Sequence, residues 1–181
     1  MIKSEFEKYA TGNLNISSMA LHDYQNSMTP YILEEREMFL STSDDKDITL
    51  HIDSPGGSVK AGLGIIDVME YIKCDIRTVN TGMAASMGSV LLGAGTRGKR
   101  SSLRFSKTML HQSSGGAVGN IQDARISMVE WEKINETLFS LLGRYCKKTA
   151  KKVAKDASRD LWLDSEASLK YGIIDEIIGL K

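Results

Sequence analysis

Cysteine is scarce in this chain. Cys74 and Cys146 are the only two among 181 residues, and they lie far apart without metal-ligand spacing. That excludes a disulfide framework and fits free thiols in a reducing compartment. Net charge is missing too: 23 basic and 23 acidic residues cancel, so no global field recruits nucleic acid or an anionic membrane. The local clusters Lys99-Arg100 and Lys147-Lys148 with Lys151-Lys152 read as solvated faces. Long apolar runs are absent. The N-terminal stretch MIKSEFEKYATGNLNISS carries charges where a signal peptide needs an apolar core, and no later stretch is long enough for a membrane span. The expected compartment is therefore the cytoplasm. Histidine is nearly as rare as cysteine, at three, and neither a metal site nor a cofactor site is expected.

What remains is a chain long enough for one well-filled domain, with 41% hydrophobic and 25% charged residues. Residues 1–47 are poorly legible: a short helix at Glu5–Ala10, a polar loop, an exposed helix at Tyr31–Leu40 and an acidic break at Asp44–Asp47. From Ile48 the pattern sharpens, and 48–181 reads as the folded domain. Ile48–Ile52 alternates as a strand. Ser58 opens a helix with apolar residues at Val59, Leu63, Ile66, Met69 and Ile72. Ile76–Asn80 reads as a strand, Ala84–Leu92 as a small-residue helix and Gly93–Gly98 as a loop. Strands follow at Lys99–Phe105 and Thr108–His111. A Gly/Ser-rich segment then leads to a long helix, Ile121–Tyr145, with Ile121, Ala124, Met128, Trp131, Leu138, Leu142 and Tyr145 on one stripe. A short helix after Thr149, a turn at Arg159-Asp160, a helix at Ser165–Tyr171 and a strand at Ile173–Ile178 complete an α/β domain without internal repeats.

Three segments carry chemistry. In His51-Ile52-Asp53-Ser54-Pro55-Gly56-Gly57 a strand runs into a double-glycine turn just before a helix, where exposed backbone N–H groups can bind negative charge. For acyl transfer that is an oxyanion hole, although a plain strand–turn–helix connection uses the same residues. In Thr81–Gly88, Ser86 stands near a helix start among Ala84, Ala85 and Gly88. The Met87 N–H could join Gly57 at a developing oxyanion. The segment nearly matches the nucleophile elbow G-x-S-x-G, with Ala84 where that motif has glycine; a serine that merely caps the helix is the bland alternative. In Met109-Leu110-His111-Gln112 a histidine closes an apolar strand and is a candidate base. Asp156, Asp160, Asp164 and Asp175 all compete as its acid. Spacing favours Asp160 only slightly, while Asp164 before Ser165 looks like a helix cap. Gly93–Lys99 imitates a phosphate-binding loop but continues with Arg100, and it follows a helix instead of a strand.

The blocks IDSPGGSVKAGLGIIDVMEYIK, TGMAASMGSVLLGAGTRGKRSSL, MLHQSSGGAVGNIQDARI and SRDLWLDSEASLKYGIIDEII, in that order, resemble the ClpP family of Clp protease proteolytic subunits over Ile48 to about Ile178. The resemblance implies a crotonase-like spiral of ββα units with a protruding helical handle. It implies a triad of Ser86, His111 and Asp160, with Gly57 and Met87 as oxyanion donors. It also implies an ATP-dependent serine endopeptidase that cuts unfolded polypeptides inside stacked heptameric rings fed by an AAA+ ATPase. Gly115, Gly116, Gly119 and Asp123, on the handle, would make ring-to-ring contact, and Arg159 would link assembly to the triad.

The chain also departs from the family pattern. After Pro30–Arg36 the family usually continues with a long block, whereas here Glu37–Leu40 runs almost directly into Ser41–Asp47. Ser113-Ser114 replaces Pro-Leu, and Arg104-Phe105 replaces Pro-Asn. The shortened region motivates a second expectation, a catalytically impaired or regulatory subunit joining rings of a full-length paralogue. An acyl-CoA lyase of the crotonase type would need an acidic pair beside the oxyanion turn, which these residues do not offer.

Overall fold

The computed structural model describes residues 47–114 and 120–179. They fall in Ser43–Lys181, the second of the two units into which the chain divides. The helices expected at Glu5–Ala10 and Tyr31–Leu40, the shortened block before Asp47, and Gly115, Gly116 and Gly119 lie outside the described residues.

Among the described residues six strands form one sheet: β1 (Ile48–Ser54), β2 (Ile76–Ala85), β3 (Arg100–Leu103), β4 (Lys107–Leu110), β5 (Leu161–Leu163) and β6 (Glu176–Ile178). Five helices among the described residues accompany them: α1 (Val59–Tyr71), α2 (Met87–Ala94), α3 (Ile121–Cys146), α4 (Ala150–Asp156) and α5 (Ser165–Tyr171). Strand β2 organises the whole. One edge pairs in parallel with β1; the other pairs with β3 through Thr78–Asn80, then with β4 through Met83–Ala85. Beyond these, β6 extends β3 in parallel and β5 closes on β4 antiparallel. This is an α/β fold, as expected, with a sheet that changes partner along one strand.

The change of partner explains the largest misreading. The strand expected to stop at Asn80 runs on to Ala85, and the helix expected from Ala84 begins at Met87. Alanine has no strand preference, but Ala84 and Ala85 are hydrogen-bonded between Ser54 on one side and Thr108 and Met109 on the other. Tertiary pairing overrides propensity there. Helix α2 then runs through Ala94 into the expected loop. The other strand ends differ in smaller ways. Strand β1 continues to Ser54, and β3 is shorter than Lys99–Phe105. At the C-terminal end, Gly172 in the left-handed region ends α5 and Asp175 turns toward Arg100, so β6 begins only at Glu176.

The core lies around α2, whose Met87, Val90 and Leu92 are buried against Ile52, Ile66, Leu110, Leu142 and Ile173. Each such side chain contributes roughly 1.5–3 kcal/mol by leaving water. Helix α3 is only half committed to this core. Leu138, Leu142 and Cys146 are buried, whereas Ile121, Ile126, Met128 and Val129 face solvent. The stripe expected to be continuous therefore packs only in its C-terminal half. Local signals behave as anticipated elsewhere: Ser58 caps α1, Thr149 caps α4 and Asp164 caps α5.

Candidate active site

Ser86 occupies the single residue between β2 and α2. Its backbone sits at φ 53°, ψ −123°, a strained conformation for a residue with a Cβ. The turn is held from both sides: the Ser86 N–H donates to Met109 O at 2.9 Å, and Ser89 Oγ donates to Ser86 O at 2.7 Å. In the cap position Ser86 makes no side-chain bond to the helix. Its Oγ lies 2.8 Å from His111 Nε2 instead. The helix-cap alternative is thus set aside by geometry.

His111 follows the last residue of β4, the strand that pairs with the Ser86 arm of β2. Its ring is held at both nitrogens, with Nδ1 3.3 Å from Asp160 Oδ1. The next N–H, of Gln112, donates to Ala157 O at 3.0 Å, and that of Ser113 to Asn135 Oδ1 at 2.8 Å. The first bond ties the histidine segment to the stretch that carries Asp160, three residues on from Ala157. His51, by contrast, is exposed on β1.

The four competing carboxylates are sorted by their partners. Asp156 is occupied by Lys152 and accepts from the Tyr171 hydroxyl at 3.2 Å. The Lys152 ammonium holds its pKa below the usual carboxylate range, against the opposing effect of burial. Asp164 caps α5 through the Ala167 N–H at 2.8 Å. Asp175, just ahead of β6 instead of within it, is taken up by Arg100. Asp160 alone faces the histidine, on a segment whose carboxylate remains 61% exposed.

The double-glycine turn meets the serine directly. Gly56 has φ +103°, and a Cβ there would stand 2.5 Å from Ser86 Cβ and 2.9 Å from Ala85 O. Only glycine permits both that conformation and that approach. Gly57 is exposed, with nothing within 4 Å of where a Cβ would be. Met87 is the first residue of α2, where an N–H has no helical acceptor. The Gly57 N–H thus belongs to the turn after β1, and the Met87 N–H to the first turn of α2. The sequence reading singled out Gly57; it missed that Gly56 makes the contact, and the Pro-Gly-Gly run was the available signal. Arg159 is exposed beside Asp160, and Asp123 lies exposed in the first turn of α3, accepting from Asn120 Nδ2 at 2.6 Å. Among the described residues no cluster of His, Cys, Asp or Glu could hold a metal, and no helix is long and apolar enough to cross a membrane.

A serine on a strained strand-to-helix turn, within hydrogen-bond reach of a histidine backed by a carboxylate, is the arrangement of a serine hydrolase. Comparison with known proteins narrows the class. The family model described as Clp protease matches residues 18–181. The ATP-dependent Clp protease proteolytic subunit of Porphyromonas gingivalis is 38% identical, with 97% of both chains covered. Its counterpart in Bacteroides fragilis is 39% identical, with 96% of this chain and 98% of the relative covered. The first alignment runs over 216 positions, more than the chain has residues, so it includes positions for which this chain has none. The chain belongs to the Clp protease family, and its enzyme class is that of a Clp-type serine peptidase.

Proposed function

We propose that Ser86 is the nucleophile, His111 the general base and Asp160 the residue that orients it, with the Gly57 and Met87 N–H groups as oxyanion donors. The observation that carries this reading is the 2.8 Å separation of Ser86 Oγ and His111 Nε2. His111 takes the Ser86 proton as Oγ attacks the scissile carbonyl, then gives it to the departing amine; water completes hydrolysis of the acyl-enzyme by the same route. Asp160 holds the proton on Nδ1, which leaves Nε2 free to accept. The strained Ser86 backbone presents Oγ away from α2, while the helix N-terminus favours the developing negative charge.

The peptidase unit spans 48–181, after a distinct segment at 1–47. Family membership supports assembly with copies of itself, in stacked heptameric rings or in mixed rings with a longer paralogue, and association with an AAA+ Clp ATPase that supplies unfolded polypeptides. Arg159, Asp123, Gly115, Gly116 and Gly119 would contribute to contacts between subunits. The working compartment is the cytoplasm.

A fluorophosphonate probe tests the site. The protein should label covalently, and Ser86→Ala and His111→Ala should each abolish labelling. Undiminished labelling of Ser86→Ala would overturn the assignment.

A further inference from the structure

Between Ile52 and Ser54 the pairing of β1 with β2 breaks register. Ile52 faces Asn80 and Ser54 faces Ala84, so β2 carries three residues, Thr81–Met83, opposite the single residue Asp53. A bulge of this kind re-aims the chain beyond it. Here Ser86 follows the bulge by three residues, while Gly56 and Gly57 follow Asp53 by three and four. The two arms of the site therefore follow closely on this one irregularity, just past the Ser54–Ala84 pairing.

The missing ladder bonds are replaced by side chains. Asp53 Oδ1 accepts the Met83 N–H at 2.9 Å, Asn80 Oδ1 accepts the Gly82 N–H at 3.3 Å, and the Thr81 hydroxyl donates to Ile52 O at 3.3 Å. Two of these bonds cross between the strands, Thr81 to Ile52 and Met83 to Asp53, and the Asp53 bond is the one nearer the double-glycine turn and the serine. Its approach requires a glycine opposite, since a Cβ on Gly82 would stand 2.6 Å from the same Oδ1.

We propose that Asp53 is a positioning residue that sets the separation between the Gly56-Gly57 turn and Ser86, acting through its acceptor oxygen and not its charge. The role rests on the reading of Gly57 as an oxyanion donor. A donor must be held to within a few tenths of an ångström of hydrogen-bonding distance, about 3 Å, from the developing oxyanion, so loosening the bridge lowers turnover more than it weakens peptide binding.

The test measures kcat and KM for a short fluorogenic peptide, the rate of fluorophosphonate labelling, and the melting temperature. Asp53→Ala should lower kcat and the labelling rate together by about 10- to 100-fold, with KM changed by less than about threefold. Asp53→Asn, which retains the acceptor, should restore kcat to within about threefold of the parent. Gly82→Ala, which leaves Asp53 in the chain but displaces its carboxylate, should behave like Asp53→Ala. It carries the test alone if Asp53→Ala does not fold. Unchanged kcat in folded Asp53→Ala or Gly82→Ala overturns the proposal, as does an Asp53→Asn as impaired as the alanine variant. Labelling that survives Ser86→Ala would instead overturn the underlying reading of the site, so the two failures are distinguishable.

Discussion

Replacing Asp175 by asparagine should destabilise this protein more than removing any exposed charge. Arg100 is buried, its side chain 3% exposed, and that of Asp175 is 19% exposed. The carboxylate accepts four bonds: from Arg100 Nη2 at 2.6 Å, Arg100 Nε at 2.8 Å, the Gly98 N–H at 2.8 Å and the Arg100 N–H at 3.1 Å. The guanidinium also donates to Gly93 O and Tyr145 O, so one pair joins α2, β3, α3 and the entry to β6. Asparagine can keep some of these bonds but leaves a buried cation without its counter-charge, at a cost of about 3–5 kcal/mol. For a chain of this size that lowers Tm by about 6–20 °C, measurable by scanning calorimetry.

The pH dependence gives a second readout. Burial raises the pKa of Asp175, but the Arg100 bonds outweigh it and hold the carboxyl below its ordinary value. A depressed folded pKa stabilises above the unfolded value of about 3.9 and is lost as pH falls through the lower folded value. The stability gap between parent and Asp175→Asn should therefore be constant from pH 7 to 5 and shrink below about pH 4. A Tm within 2 °C of the parent, marked against the smallest shift of about 6 °C expected above, would refute the reasoning.

Two further outcomes follow from backbone geometry. Gly56→Ala should abolish peptidase activity, because its Cβ cannot coexist with Ser86 Cβ at 2.5 Å; normal turnover would show that the turn does not abut the serine. Lys147 ends α3 in the left-handed region at φ 52°, which costs a residue with a Cβ about 1–2 kcal/mol. Lys147→Gly should accordingly raise stability by about 0.5–1 kcal/mol in urea titration, after the entropy glycine loses on folding is subtracted.

Much of this fold and candidate site was legible because its signals are local. The helix with apolar residues at three- and four-residue spacing from Val59, the caps at Ser58 and Asp164, and the histidine at the end of an apolar strand depend on neighbours within a turn or two. The quoted blocks also carried the family resemblance without any coordinates. Tertiary structure decided what depends on contacts between distant segments. Ala84 and Ala85 became strand because β1 and β4 flank them. Ser86 took a strained φ because Met109 O captures its N–H. Among the four aspartates of the last quarter, local spacing favours Asp160 only slightly and the resemblance names it. The contacts that occupy the other three, with Lys152, the α5 N-terminus and Arg100, and leave Asp160 facing His111 exist only in the folded chain. The bridge from Asp53 to Met83 spans 30 residues of chain, and no local pattern encodes it, because its geometry exists only once two strands of unequal count lie side by side.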